Sequence, residues 1–372
     1  PSPGASPAAA GHRPGRTEHG SRRMSQSTMR AARYYGSRDI RIEDIPVPQP
    51  AADEALVKVL RSGLCGTDVT EWTSGPIMIP LHKQHPHSGH VGPMTPGHEI
   101  FGEVVTAPEG SGLKPGDLVA SGAQIACGEC KTCRAGRPNV CAKLHTLGLQ
   151  RDGGHAEFVA APVKFLVKAP EGIDIDAAGL TQPLAVGLHA VRRAGVVPGD
   201  HVLVTGAGAI GTFVLAALRH LVPDTHIVVA DVDPVKLERA LRLGANETVN
   251  FAAGEEPTAV AADVVIECAG APGLLAKTFG WTRTGGRVLA VGMSAKPQEI
   301  DPHDFVLREI TIEATNALIT HEDIPVALEI LATTNLAEEM LDSVRSLSEL
   351  TEALDAMAAG QVQGKILIDP SR

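Results

Sequence analysis

From Arg30 to about Pro183, short runs rich in Val and Ile (IRIEDI, EALVKVL, EIFGEVVTA, DLVAS and AEFVAA) are separated by Gly, Pro and Asp turns, and no long helical period emerges. Short apolar runs bounded by turn residues predict a β-rich unit with long loops. From Pro183 to about Ala314 the period changes. HVLVTG precedes a helical run, IGTFVLAALRHL, and IVVADV, PVKLERALRLG, DVVIECAG and RVLAVG follow. Buried strands alternating with helices predict a doubly wound parallel α/β sheet. Beyond His321, two amphipathic helix patterns (DIPVALEILAT and LTEALDAMAAG) lead into a last strand, GKILID, which can return to the first unit. The expected organisation is discontinuous: 29–183 with 316–372 form the β-rich unit, and 184–315 form an inserted α/β unit.

Composition narrows the function classes. Hydrophobic residues are 43% of the 372 and aromatics only 3%, so the core must be aliphatic. With 43 acids against 33 bases the formal charge is −10, and no net cationic field draws in nucleic-acid phosphates. The opening PSPGASPAAAGHRPGRTEHGSRR has neither the apolar stretch of a secretion signal nor an amphipathic face. Residues 1–28 are expected to be a disordered extension, upstream of a natural start at Met24 or Met29. The longest uncharged run, the 17 residues Val202–Leu218, is broken by glycines and explained below by a cofactor turn rather than a membrane span. A cytoplasmic protein with no membrane or nucleic-acid partner is expected.

The strongest fold signal is HVLVTGAGAIG, in which Gly206, Gly208 and Gly211 follow a predicted strand and, with Ile210, open a predicted helix. Asp231 ends the next strand, 20 residues beyond Gly211. In that context the pattern is a dinucleotide fingerprint: glycines admit the pyrophosphate, the helix N-terminus offers free N–H groups, and the acid accepts bonds from the adenosine ribose. An acid there repels a 2'-phosphate, so NAD is expected over NADP.

The six cysteines do not have the distribution of a disulfide scaffold. Cys127, Cys130, Cys133 and Cys141 fall within fifteen residues, four soft ligands on one loop that can close tetrahedrally on Zn2+. An iron–sulfur cluster is the competing reading, against which stand the seven residues before the last cysteine. Four thiolates leave no open position, so this metal should be structural. A sparser set, Cys65 in SGLCGTD and His98-Glu99 in TPGHEI, has the donor types of a catalytic zinc site with one place left for water or substrate. Read alone, Cys65 is equally a small buried hydrophobe and His98 a turn residue.

These motifs together resemble the zinc-dependent medium-chain dehydrogenase/reductase (alcohol dehydrogenase) family over nearly everything from Met29 onward. The resemblance implies a GroES-like catalytic domain carrying a structural zinc lobe near 125–142, and a Rossmann-type NAD-binding domain. It implies two zinc ions per chain. Cys65 and His98 would bind the catalytic one, Glu99 would enter or leave its shell, and the four lobe cysteines would hold the other. GLCGTD, EWTSGPIMIP and HPHSG are similar to the butanediol and sorbitol dehydrogenase branch, as is TQPLAVGLHAVRRAGV, although relatives carry Glu where this chain has Gln182. A neutral amide is a poor zinc ligand, so Gln182 is expected beside the metal rather than on it. By the same resemblance Thr67 is the first hydroxyl of the proton path, and Lys236 contacts the adenosine ribose. Gly270 and Gly292 are expected to let the cofactor approach. Thr70 stands where relatives continue the relay with a histidine. Asp68 is expected to organise the site, Trp72 to wall it, Cys268 to be inert packing and His189 to be a core or surface helix histidine; His82, His85, His87 and His90 form a histidine-rich loop expected as substrate-entrance surface, with adventitious metal binding the alternative.

The expected function is a zinc- and NAD-dependent oxidoreductase that interconverts a secondary alcohol or vicinal diol with its ketone. A polyol or L-threonine dehydrogenase is the alternative, and a non-catalytic NAD-binding protein a third that the presence of Cys65 and His98 disfavours. The partner is a small-molecule alcohol. A homodimer or homotetramer is expected through an edge strand near RVLAVG.

Overall fold

The structure, a computed structural model, describes residues 27–257, 261–294 and 296–372. The expected N-terminal extension lies outside the described residues except for its last two positions, and Thr28 already begins the first strand, Thr28–Gly36.

Two large sheets carry the molecule. The first places, in order, Leu341–Ser346, Lys365–Asp369, Glu54–Gly63, Glu99–Thr106, Leu118–Ser121 and Leu166–Lys168 side by side, with Phe158–Pro162 also paired to Glu54–Gly63. The final strand returns beside Glu54–Gly63, antiparallel, with Leu367 opposite Gly63. The second sheet has six parallel strands: Glu247–Asn250, His226–Asp231, His201–Thr205, Ala262–Glu267, Thr282–Ala290 and Thr311–Ala314. Counted from His201–Thr205 this is the order 3-2-1-4-5-6, whose switch point lies between His201–Thr205 and Ala262–Glu267, where dinucleotides bind. RVLAVG lies one strand in from the edge; the edge itself is Thr311–Ala314, whose Ile312 is exposed.

A 14-residue helix, Thr181–Ala194, joins the two sheets and starts in the TQPL segment, so positions 183 and 184 lie within one continuous helix. Its apolar side packs on the helices Ala209–Leu221 and Thr320–Thr333 and on the strand Glu99–Thr106. Leu180, Leu184 and Leu188 share one core with Phe101, Val202, Val204 and Leu328. Burying each such side chain contributes about 2 kcal/mol, so the junction is a packed interface rather than a linker.

The β-rich part also contains a helix that strand periodicity does not reveal, Gly66–Ser74, directly after Cys65. Asp68 explains its start, because its Oδ2 accepts the Cys65 N–H at 2.9 Å and so satisfies a donor at the helix entrance. Trp72 on this helix is not a wall of the substrate site. It packs with Leu350 and Leu354 of the helix Leu350–Ala358 and donates its indole N–H to Asp355 at 2.8 Å. Its size and apolar face are used to seal the C-terminal helix.

Candidate active site and metal centres

Three elements converge on the first centre. Cys65 caps the helix Gly66–Ser74, His98 ends a glycine turn, and Glu99 opens the strand Glu99–Thr106 opposite Gly63. One ligand atom from each of Cys65, His98 and Glu99 lies within 4.8 Å of the others. His98 and Glu99 are buried, yet His98 Nδ1 and Glu99 Oε2 have no hydrogen-bond partner. Buried polar atoms are rarely left unpaired unless something binds there. The surroundings also favour positive charge. Burial alone would lower the imidazole pKa of His98, but Asp68, Cys65 and Glu99 together hold it up at about 10. Donor set, spacing and field therefore fit a dication.

Gly63 makes this geometry possible by close approach. A Cβ at that position would fall 2.0 Å from Glu99 Oε2. The other carboxylate oxygen, Oε1, is held at 2.7 Å by Lys365 Nζ, which also donates to the Leu64 carbonyl. Lys365 is buried; burial pulls its pKa down, but Glu99, Cys65 and Asp68 together outweigh that and leave it raised. Sequence reasoning missed Lys365, although a lysine directly before the apolar 366–368 run of a strand was a readable signal. It also missed His155, which is 1% exposed with neither ring nitrogen partnered, and whose pKa burial pushes down to about 4.

Around the centre, Thr67 Oγ1 lies 3.8 Å from Cys65 Sγ. Thr70 is exposed, its hydroxyl donating to the Gly66 carbonyl at 2.9 Å. Asp68 Oδ1 stands 3.8 Å from His98 Nδ1, beyond hydrogen-bond reach but close enough to orient the ring electrostatically. Glu71, one turn on, accepts the backbone N–H groups of Ile77 and Met78 and so pins the chain leaving the helix. Gln182 is buried in the first turn of the junction helix. The histidine-rich loop brings His85 and His87 rings to 5.8 Å, and His85 and His145 to 6.3 Å.

The second centre is the cysteine lobe. Cys127, Cys130, Cys133 and Cys141 sulfurs all lie within 4.8 Å of one another, with individual separations of 3.4, 3.5 and 3.8 Å. Thiolates held tetrahedrally at zinc's bond length of about 2.3 Å would sit roughly 3.8 Å apart. Cys141 Sγ accepts the N–H groups of Cys127 and Lys143, both at 3.3 Å. Thr132 and backbone amides lower the Cys130 thiol, and backbone amides lower Cys127. Burial and the neighbouring sulfurs push Cys133 the other way, the balance that a metal charge would tip to thiolate.

At the switch point of the parallel sheet the glycine loop enters the helix Ala209–Leu221, with Gly208 as its N-cap. A Cβ at Gly211 would lie 1.7 Å from the Gly206 carbonyl, whereas one at Gly208 would meet nothing within 4 Å. Gly211 thus serves helix–strand packing, and Gly208 faces open space in front of free N–H groups, as a pyrophosphate requires. Ile210 packs against the central core. Asp231 Oδ2 accepts the Ala207 N–H, and Oδ1 those of Val232 and Asp233 at 2.7 and 2.9 Å. A cavity of about 330 Å³ opens beside it, lined by Gly206, Val232, Phe251, Lys277 and Trp281 among others. Lys236 Nζ lies 3.7 Å from Asp233, on the helix that follows Asp231. Gly270 and Gly292 abut each other: a Cβ at Gly292 would come within 2.2 Å of the Gly270 nitrogen. Cys268 is half-buried beside Gly211, and its surroundings raise its thiol pKa.

The alcohol dehydrogenase GroES-like domain family matches residues 51–171, and the zinc-binding dehydrogenase family matches residues 209–333. Among curated proteins, the chain is similar to (R,R)-butanediol dehydrogenase of Bacillus subtilis, 32% identical over 92% of this chain and 100% of that one. It is also similar to L-threonine 3-dehydrogenase of Legionella pneumophila, 29% identical over 88% of this chain and 96% of the other. The crystal structure of 2R,3R-butanediol dehydrogenase from Bacillus subtilis superposes with a TM-score of 0.83 at 30% identity, covering 92% of this chain and 99% of that one. No helix among the described residues is long and apolar enough to cross a membrane. With two cysteine-bearing clusters that can each hold a metal ion and a dinucleotide-type sheet in one chain, the protein belongs to the zinc-dependent medium-chain alcohol dehydrogenase family and is an NAD- and zinc-dependent oxidoreductase acting on a CH–OH group.

Proposed function

We propose that the enzyme interconverts a vicinal diol of the 2,3-butanediol type and its hydroxyketone. The observation that carries this reading is the convergence of Cys65, His98 and Glu99 on one buried, anionic point; similarity to butanediol dehydrogenase selects the diol. Zinc, when bound, supplies a Lewis acid that acidifies the substrate hydroxyl, and NAD+ supplies a hydride acceptor. The chain's own residues do the rest. Cys65, His98 and Glu99 would hold the metal, with Lys365 engaging the second Glu99 carboxylate oxygen at 2.7 Å. Thr67 relays the hydroxyl proton, its Oγ1 accepting it while passing its own proton on to water. Beyond it Thr70 already donates to Gly66, so the outer path runs to solvent at the exposed helix entrance rather than through a side-chain base. Cys127, Cys130, Cys133 and Cys141 hold the structural zinc. Gly206, Gly208, Ile210 and Gly211 form the pyrophosphate turn, with Asp231 and Lys236 at the ribose and Gly270 and Gly292 packing the cleft floor.

In this reading residues 29–183 with 316–372 act as the catalytic unit and 184–315 as the cofactor unit. The edge strand Thr311–Ala314, with Val306, Leu307 and Met293 exposed nearby, supports pairing with a second copy. Six free cysteines support a reducing, cytoplasmic setting. Similarity to L-threonine 3-dehydrogenase keeps a second reading open, with polyols as a further substrate class. A panel of 2,3-butanediol stereoisomers, sorbitol, xylitol, threonine and simple alcohols, followed by NADH absorbance, separates these. The expected result is the highest kcat/KM on one butanediol isomer; a higher value on threonine or a polyol would replace the diol reading.

Two further outcomes are expected. Gln182 leaves the zinc, Cys65 and Glu99 charges summing to zero. Gln182→Glu adds an anion, weakens the Lewis acid, and should shift the pH–rate profile upward while lowering kcat at neutral pH about tenfold, or roughly 1.4 kcal/mol. An unshifted profile would place Gln182 away from the metal's field. Asp231→Asn keeps an acceptor for the Ala207 amide but removes the charge, and should raise the NADP-to-NAD ratio of kcat/KM by about tenfold. An unchanged ratio would remove Asp231 as the selector.

A further inference from the structure

A chain of buried polar contacts runs from the cysteine lobe into the junction helix, and the reaction chemistry does not use it. Asn139, two residues before the ligand Cys141, is 3% exposed. Its Nδ2 donates to the Asn316 carbonyl at 2.8 Å and approaches His189 Nε2 at 3.1 Å. Asn316 returns the contact, donating to the Asn139 carbonyl at 2.9 Å. With Nε2 accepting, the neutral ring carries its proton on Nδ1, which faces Asp323 Oδ2 at 3.4 Å. Asp323 is 0% exposed; its Oδ2 accepts the Ile319 N–H at 2.7 Å, and its Oδ1 lies in an ion pair with Arg192 Nε at 3.1 Å without a hydrogen bond. Three segments distant in sequence are thus tied through one imidazole: the lobe, the helix Thr181–Ala194 and the helix Thr320–Thr333.

His189 and Gln182 are seven positions apart, two turns on one face of the same helix. Where that helix begins, Leu180 and Leu184 pack with Phe101, two residues beyond Glu99. A contact fixing the helix at His189 therefore also fixes the first turn against the strand that carries Glu99. A purely apolar residue would fill the space at position 189 but set no register, whereas Asn139 and Asp323 facing the two ring nitrogens of His189 favour one orientation of the helix.

We propose that Asn139, His189 and Asp323 form a strut that sets the catalytic centre from the structural-metal lobe, with His189 as a positioning residue. The proposal rests on reading the Cys65–His98–Glu99 centre as catalytic. The step is geometric, with no group transferred.

The test uses the full enzyme with Co2+ at the catalytic centre, in His189→Leu, His189→Gln and Asn139→Ala variants. His189→Leu should keep two metals per chain and its NADH affinity, but alter the visible Co2+ ligand-field spectrum and lower kcat about tenfold or more, since small misplacements at a reacting centre are costly. His189→Gln, which can still accept from Asn139, should recover most of both. Asn139→Ala leaves the His189–Asp323 contact intact and should reproduce the Leu effect even if His189→Leu does not fold. Wild-type spectra and kcat in folded His189→Leu or Asn139→Ala would overturn the strut, as would a Gln variant no better than Leu. Failure of the catalytic reading shows separately, as a wild-type enzyme whose alcohol oxidation does not depend on the metal at Cys65.

Discussion

Cys65→Ala should lower kcat/KM for the best alcohol by about 10⁴-fold or more, because the metal's stabilisation of developing charge is worth several kcal/mol and each tenfold is about 1.4 kcal/mol. The physical reason is local. Cys65 supplies the thiolate of the centre, and His98 and Glu99 alone leave two donors, one of them shared with Lys365. Metal content should fall from two per chain to one, since the lobe keeps its four sulfurs. NADH binding should persist, because the glycine loop and Asp231 lie on the other sheet. Removing a residue that caps a helix also risks the fold, so His98→Ala, which leaves the cap intact, should give the same pattern. Equilibrium NADH titration, metal analysis and steady-state rates on one preparation check it; substantial activity in either variant would move the chemistry elsewhere.

The second large effect concerns stability. Cys130→Ser should release the lobe metal and lower the melting temperature by about 10 °C, the shift expected for a loss of at least roughly 3 kcal/mol in a domain of this size. Outside its cysteines the lobe has little to hold it: the short helix Lys131–Arg134 buries no residue, and the strands Gln124–Ile125 and His145–Thr146 are two residues each. Beyond the Asn139 contacts and the packing of Ile125 and Ala126, metal coordination is expected to supply much of its folding energy. Chelation of the wild-type lobe should reproduce the shift. Calorimetry showing an unchanged transition in Cys130→Ser, with one zinc lost, would mean that the lobe folds without its ion.

Much of this was legible in the sequence because it is encoded by short-range spacing. Glycine spacing and the distance to Asp231 encode the cofactor turn, and four cysteines on one loop can meet without knowledge of the rest of the chain. The cluster of Cys65, His98 and Glu99 was legible only by resemblance, since Cys65 and His98 are brought together by strand pairing of Glu54–Gly63 with Glu99–Thr106. Lys365 was invisible as a partner of Glu99 for the same reason, 266 residues away in sequence. The helix Gly66–Ser74 escaped because its residues are mostly polar and its start is set by Asp68 rather than by an apolar period. His189 reads only as a helix histidine until the fold places Asn139 3.1 Å from its ring.

The most direct test is the rate of NAD+ reduction with the preferred alcohol, measured on one wild-type sample before chelation of the catalytic metal, after it, and after zinc is restored. The expected rate falls to background as one zinc per chain leaves with the lobe metal retained, and returns when zinc is added back. A rate unchanged by loss of the metal held by Cys65, His98 and Glu99 would contradict a zinc-dependent oxidation at that centre.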